Sequence, residues 1–428
     1  MIRIVEYTGD ANILKRLEIP QEDYDRVVKD IVEAVRERKD EAVREYTAKF
    51  DKVEITDFLV TEDEMEEGCQ LAGESFIEIL EKAKTRIETY HVTQKRQSQI
   101  MTEESGSLLG QLVIPLQRAG VYVPGGKALY PSSVLMNVLP AKVAGVGEII
   151  MVTPPNREGK VDPRVLAAAK VCGVQKVYKV GGAQAIAAMA YGTESIPRVD
   201  KIVGPGNIFV ATAKKLVYGQ VSVDSFAGPS EILILADQSA NPAYVAADMV
   251  SQAEHDEMAG SILITDSREL AEQVQEQLAI QTAAAPRRNV IEASLRNRGM
   301  ILLVKNLEEG IEMANAYAPE HMEICTVEPM SFVSRIRCAG AIFVGQYSPE
   351  PLGDYMAGPN HVLPTGGSAR FFSPLGVDDF IKKTSLIYMT KDGMMELAED
   401  VIAFAEAEKL YAHGQAVRLR YLDERNGQ

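Results

Sequence analysis

The sequence predicts an α/β protein with two parallel-sheet domains. From about residue 109, short apolar strands alternate with helices of about ten residues. A second set of the same kind begins near Ser230. This alternation is typical of a doubly wound sheet, because the crossover between parallel strands usually runs through a helix. Two sets of similar size therefore predict two related domains with a cleft between them.

Helical segments are predicted on both sides of these sets. Residues 21–50 carry apolar side chains at helical spacing, and Thr61 with Glu64 has the spacing of a capping box. The last 40 residues predict a helical tail with little apolar bulk, which is expected to pack on the body or on another subunit. The predicted division is an N-terminal segment, a first α/β domain, a second α/β domain and the tail, at residues 1–20, 21–229, 230–378 and 379–428.

Local signals place helix boundaries inside the two sets. Asp162 and Pro163 form a favourable pair for the N-cap and the first helical position. Pro140 is expected to interrupt the helix that begins near Ser132. Residues 346–378 are rich in glycine and proline, and they predict a long functional loop.

Composition excludes several classes of protein. The net charge of −16 disfavours binding to nucleic acid or to an anionic membrane surface. No apolar run is long enough to span a bilayer, and the first 20 residues lack the features of a secretory signal. The four cysteines have neither metal-site nor disulfide-framework spacing, so a reduced, cytoplasmic protein is expected.

Histidines indicate where the chemistry lies. Four of the five are in the C-terminal half, at His255, His321, His361 and His413. Histidine is the commonest metal ligand and exchanges protons near neutral pH, so this distribution favours a metal-assisted enzyme over a scatter of structural histidines.

Each histidine has polar neighbours that support more than one interpretation. Gln252 and His255 share a helix face, although surface decoration would explain that pair alone. Glu320 and His321 are predicted where a helix ends at Ala318-Pro319 and a strand begins. They suit acid–base catalysis, but for this motif alone an ion pair at the helix end is the favoured explanation. Asp354 could be a metal ligand and His361 a proton carrier or substrate contact.

Nucleotide binding has a weaker signature. The chain has no G-x-G-x-x-G motif, but glycine turns follow predicted strands in VPGG, VGGAQ and VGPGN. Such turns let a backbone approach a phosphate at a helix N-terminus. Tight turns without a ligand remain an alternative for each.

Taken together, the motifs resemble the histidinol dehydrogenase family from about residue 20 to 420. The residues that carry this resemblance are AGVYVPGG, VGGAQAIAA, VGPGN, AGPSE, SQAEHD, APEHMEI, GDYMAGPNHVLPTGGSARF and AEKLYAHGQAV. The resemblance implies incomplete Rossmann-like domains and an intertwined homodimer with shared active sites. It also implies a zinc-dependent, NAD-linked alcohol and aldehyde dehydrogenase that oxidises L-histidinol through histidinaldehyde to L-histidine, the last step of histidine biosynthesis, with two NAD.

The resemblance also implies roles for individual residues. Glu320 and His321 match the catalytic pair. The implied zinc ligands are Gln252, His255, Asp354 and His413, with His413 reaching the site of the partner subunit. The implied substrate contacts are Ser230, Gln252, His255, His321, Asp354, His361, Glu408 and His413, and the implied NAD contacts are Tyr122, Gln184 and Asn207.

Three rival functions stay open from the sequence. A related zinc and NAD dehydrogenase could act on another amino or sulfonate alcohol, with Glu408 and His361 as the places where such a switch would show. A zinc hydrolase would use Glu320 to activate water, but the glycine turns and the absence of HExxH disfavour it. A non-catalytic binding paralogue would have lost the acid–base pair, which is present here.

Overall fold

Two parallel sheets and one small antiparallel sheet form the framework of the protein. The computed structural model describes residues 2–10, 13–14, 22–125, 130–225 and 228–426. Part of the predicted N-terminal segment, and Gly126 of the VPGG turn, lie outside these residues. By its internal contacts the chain divides into a large unit, residues 1–94 and 116–380, and a small unit, residues 95–115 and 381–428.

The strands of the described residues are, in chain order, β1 (Ile4–Glu6), β2 (Gln99–Thr102), β3 (Leu108–Pro115), β4 (Arg118–Tyr122), β5 (Glu148–Thr153), β6 (Lys176–Lys179), β7 (Lys201–Val203), β8 (Ser222–Val223), β9 (Glu231–Ala236), β10 (Gly260–Thr265), β11 (Gly299–Leu303), β12 (His321–Cys325), β13 (Ala341–Val344) and β14 (Ile381–Tyr388).

The helices of the described residues are α1 (Glu22–Arg38), α2 (Asp40–Asp51), α3 (Glu62–Ala72), α4 (Glu74–Val92), α5 (Pro131–Ala144), α6 (Pro163–Cys172), α7 (Gly182–Tyr191), α8 (Ile208–Val217), α9 (Pro242–Ala253), α10 (Arg268–Ala284), α11 (Arg288–Arg298), α12 (Leu307–Tyr317), α13 (Met330–Val333), α14 (Glu350–Tyr355), α15 (Lys391–Ala407) and α16 (Tyr411–Asn426). Short 3₁₀ turns cover Ser368–Arg370 and Val377–Phe380.

Both sheets of the large unit are parallel throughout. One has five strands in the order β6-β5-β4-β7-β8, and the other has six in the order β1-β11-β10-β9-β12-β13. The central strands β9 and β10 are buried along their whole length. Apolar strands buried on both faces are typical of sheets covered by helices. The predicted α/β fold class, with parallel sheets and helical segments at both ends, is confirmed.

Capping residues begin the helices where the sequence indicates. Thr61 and Glu64 form a reciprocal capping box at the start of α3. The carboxylate of Asp162 accepts from the backbone N–H of Arg164 at 2.9 Å, and Pro163 is the first residue of α6. These side chains satisfy backbone donors that the first helical turn leaves free.

Pro140 does not interrupt its helix, so that prediction was wrong. Helix α5 runs continuously through it. A proline cannot donate to the carbonyl four residues earlier, here that of Met136. The side-chain amide of Asn360 donates to this carbonyl instead, at 2.6 Å, so the acceptor that the proline leaves free is satisfied.

The small unit consists of an antiparallel sheet and two helices. Its sheet has the order β14-β3-β2, and α15 packs against α16. Among the described residues, none of the helices combines the length and apolar character that a membrane span requires.

Candidate active site

A cleft of about 370 Å³ in the large unit is lined by segments from both parallel sheets. The Gly204–Asn207 turn follows the carboxyl end of β7. Ser230, Glu320 and His321 line the same cleft. They lie at the amino ends of β9 and β12, in the six-stranded sheet. Ligands of open α/β sheets usually bind at carboxyl ends, so the six-stranded sheet departs from that rule while the five-stranded sheet follows it.

Glu320 and His321 are both buried and are both held by the backbone of Glu231. The carboxylate of Glu320 accepts from the N–H of Glu231 at 2.9 Å. The Nδ1 atom of His321 lies 3.1 Å from the carbonyl oxygen of Glu231. As the carbonyl can only accept, Nδ1 carries the proton, and the Nε2 lone pair of a neutral His321 is available to accept another.

Burial shifts the pKa values of both members of this pair. It raises the pKa of Glu320 well above the usual range for a carboxyl, and it lowers the pKa of His321 to about 4. His321 is therefore neutral at physiological pH and can act as a proton acceptor. Groups with such shifted pKa values in a cleft are typical of catalytic sites.

Side chains of the kinds that bind metal ions line the same cleft. Ligand atoms of His255, Glu350 and Asp354 lie within 4.8 Å of one another. Gln252 is completely buried, and neither its Oε1 nor its Nε2 has a hydrogen-bond partner among the described residues. A buried amide without a partner is costly unless something else binds it. Imidazole and carboxylate ligands suit a zinc ion, and the amide of Gln252 is a less common oxygen ligand whose hydrogen bonds are otherwise unmet among the described residues, so this set fits such a group.

Glu350 is a site residue that the sequence analysis missed. It is almost fully buried, and burial together with the nearby carboxylate of Asp354 raises the pKa of Glu350 to about 9. Its Oε1 lies 3.9 Å from Nε2 of His321. The available signal was its position four residues before Asp354, which places both on one face of α14. The loop prediction for residues 346–378 obscured that helix.

His361 faces the cleft from the segment after α14. Its Nδ1 lies 3.1 Å from the carbonyl oxygen of Asp354, and its Nε2 lies 3.4 Å from the hydroxyl of Ser133. Burial lowers the pKa of His361, so it too is held neutral. Asn360 fixes the segment, since its side-chain oxygen also accepts from the N–H of Val362 at 2.8 Å.

Residues implied for NAD fall in two places. Asn207 lines the cleft and also caps α8, where its side chain accepts from the N–H groups of Phe209 and Val210. Tyr122 and Gln184 are buried at the amino end of α7, where the hydroxyl of Tyr122 accepts from the N–H of Gly182 at 3.1 Å. The Gln184 amide has no hydrogen-bond partner among the described residues, so it is available for a hydrogen bond with a ligand.

Glu408 and His413 belong to the small unit. Glu408 ends α15, His413 lies in the first turn of α16, and both side chains are exposed. The large unit brings together Ser230, Gln252, His255, Glu320, His321, Asp354 and His361 around one cleft.

Acid–base groups and glycine turns facing one cleft between parallel sheets place the chain among the α/β oxidoreductases. The family model described as histidinol dehydrogenase matches residues 14–421. The chain belongs to the histidinol dehydrogenase family.

Similar proteins agree along nearly the whole chain. A histidinol dehydrogenase of Bacillus cereus is 52% identical over 416 residues, which cover 97% of this chain and 95% of the relative. One from Clostridium acetobutylicum is 52% identical over 396 residues, with 92% of each chain covered. The crystal structure of histidinol dehydrogenase from Elizabethkingia anophelis superposes with a TM-score of 0.94 at 36% identity, with 99% of each chain covered.

Proposed function

We propose that the protein oxidises L-histidinol to L-histidine through histidinaldehyde, with two NAD and one zinc ion. The observation that carries the proposal is the anchoring of His321, which leaves a neutral Nε2 atom facing a cleft that also holds cation ligands. Family membership supports the substrate, because the relatives are named for histidinol. Gln252, His255 and Asp354 are the proposed zinc ligands within this chain.

Bound zinc would hold the amino and imidazole nitrogens of the substrate, and bound NAD would accept hydride. In the first oxidation, Nε2 of His321 takes the hydroxyl proton as the carbinol C–H bond breaks. Glu320 then takes a proton from the water that adds to the aldehyde carbon. In the same addition the protonated His321 gives its proton to the aldehyde oxygen, so the hydrate forms and His321 is neutral again. It then takes a hydroxyl proton of the hydrate as the remaining C–H bond breaks in the second oxidation, and the carboxylic acid so formed ionises to the carboxylate.

The dinucleotide is proposed to lie along the glycine turns of the five-stranded sheet. Asn207 at the start of α8 and the unpaired amide of Gln184 at the start of α7 support this placement. Tyr122 would act through its contact with the N–H of Gly182. The amino ends of both helices attract negative charge, which suits a pyrophosphate.

A homodimer with shared sites is also proposed. Its support is the exposure of Glu408 and His413 beside exposed apolar side chains such as Phe404 and Tyr411 in the helical tail. The partner's copy of the tail would supply a zinc ligand and a substrate contact. Mixing inactive His255→Ala and His413→Ala proteins is expected to restore activity after subunit exchange. No recovery after demonstrated exchange would contradict the shared site.

The four free cysteines support a cytoplasmic location.

The test of function is oxidation of L-histidinol by the purified, zinc-loaded protein. NADH absorbance and chromatography of the product should show L-histidine, with turnover lost in the His321→Asn variant. Other amino alcohols serve as competing substrates. Preference for one of them over L-histidinol would overturn the proposed substrate.

A further inference from the structure

A buried ion pair lies next to the Gly204–Asn207 turn, and its two residues, Lys214 and Asp224, also line the cleft. Nζ of Lys214 lies 2.6 Å from Oδ1 of Asp224, and the two side chains are only 4% and 5% exposed. Burying two charges carries a large desolvation cost, which is offset only when hydrogen bonds satisfy the remaining donors and acceptors. The other hydrogen bonds made by Lys214 and Asp224 therefore indicate the role of the pair.

Both charged groups bind the backbone of one glycine. Nζ of Lys214 donates to the carbonyl oxygen of Gly204 at 2.5 Å, and Oδ2 of Asp224 accepts from the N–H of Gly204 at 2.7 Å. Gly204 has a φ of +109°, and a Cβ atom there would lie 2.0 Å from the carbonyl oxygen of Tyr122. The pair thus holds a conformation that only glycine adopts readily.

Asp224 also binds the backbone of the residue that follows it. Its Oδ1 accepts from the N–H of Ser225 at 2.7 Å. Farther along, the N–H of Gly228 donates to the hydroxyl of Thr365 at 2.5 Å, and Ser230 follows at the cleft. One carboxylate is therefore bonded both to the glycine turn and to Ser225.

We propose that Lys214 and Asp224 are positioning residues for the dinucleotide. They hold the Gly204–Asn207 turn in the shape that receives NAD and tie that turn to Ser225. This inference rests on the proposed function, because it assumes that NAD binds at this turn. The pair acts through the backbone of Gly204, so the effect of losing it is expected in NAD affinity.

The experiment is calorimetric titration of NAD into the zinc-loaded protein, with zinc content and unfolding temperature measured for each sample. The variants are Lys214→Met, Asp224→Asn and the double variant. The double variant removes both charges, so it avoids leaving one of them buried and unpaired. Lys201→Met is the matched control, since Lys201 is also buried, pairs with Asp379 at 2.8 Å and lies at the other end of β7.

The double variant is expected to remain folded with its zinc and to bind NAD about ten-fold more weakly. The control should keep the wild-type dissociation constant. Wild-type NAD affinity in the double variant, or an equal loss in the control, would overturn the positioning role. A wild-type protein that does not bind NAD would instead overturn the proposed cofactor, and the inference with it.

Discussion

The carbonyl oxygen of Glu231 lies 3.1 Å from Nδ1 of His321 and fixes which imidazole nitrogen can accept a proton. The N–H of the same Glu231 binds the carboxylate of Glu320 at 2.9 Å. One peptide segment at the start of β9 therefore orients both members of the acid–base pair. These contacts are made by backbone atoms, while the buried side chain of Glu231 accepts from the hydroxyl of Tyr317 at 2.8 Å.

The role of His321 is testable with an asparagine, whose amide can take the place of Nδ1 but has no atom in the place of Nε2. His321→Asn can still donate to the carbonyl of Glu231 but cannot accept a proton at the Nε2 position. Turnover should fall by about 10²- to 10⁴-fold, the usual contribution of a general base. Steady-state kinetics and zinc analysis check this together. Loss of zinc along with activity would mean that His321 supports the metal site and is not only a base.

Pro140 is expected to affect the position of His361 indirectly, through Asn360. Pro140→Ala restores an N–H that competes with Asn360 for the carbonyl of Met136, so Asn360 and the neighbouring His361 should become less well placed. We expect kcat/KM for L-histidinol to fall about ten-fold while the unfolding temperature is unchanged or rises. Pro163→Ala is the control, because a proline at a first helical position leaves no carbonyl without its donor. Unchanged kcat/KM in Pro140→Ala would contradict the link.

Glu350 is expected to contribute to cation binding. Its carboxylate lies with ligand atoms of His255 and Asp354, so Glu350→Gln should weaken zinc binding by about 10- to 100-fold. Competition with a chromophoric chelator measures the dissociation constant. The Glu254→Gln variant makes the same substitution at an exposed position next to His255 and should bind zinc normally. Equal affinities in the two variants would exclude Glu350 from the metal site.

A pH effect on stability is expected at Asp51, away from this chemistry. Burial raises the pKa of Asp51 to about 6, and its Oδ2 has no hydrogen-bond partner among the described residues. An unfolded aspartate titrates near about 3.9, so the folded state binds more protons between these values and loses stability as pH rises through that window. The free energy of unfolding of Asp51→Asn should therefore exceed that of the wild type by about 1 kcal/mol at pH 8 and should equal it at pH 3. The value at pH 8 is reduced to allow for the partial exposure of Asp51.

Urea unfolding at both pH values checks this expectation. Asp30→Asn is the control, because it removes the same charge from an exposed position on α1. A gain for Asp51→Asn that is equal at pH 3 and pH 8 would show that ionisation is not its cause.

Features set by short-range signals were predictable from the sequence. Strand–helix alternation, the Thr61–Glu64 box and the Asp162 cap depend on neighbours along the chain, and all are confirmed. The placement of Glu320 and His321 where a helix gives way to a strand is confirmed as well, since α12 ends at Tyr317 and β12 begins at His321.

Features that depend on distant partners were not predictable. Pro140 was expected to break α5, but Asn360, more than 200 residues away in the chain, satisfies the carbonyl that the proline leaves free. Glu350 has no local motif, and its importance appears only when α14 brings it to His255 and His321. The anchoring of His321 by Glu231 likewise depends on the pairing of β9 with β12.

The number of NADH molecules formed per L-histidinol consumed, with and without a chelator, tests the central claim most directly. A zinc-dependent oxidation through a retained aldehyde predicts two NADH per substrate, loss of the reaction on chelation and recovery when zinc is added. One NADH per substrate, with free histidinaldehyde released, or full activity after complete removal of the metal, would contradict it.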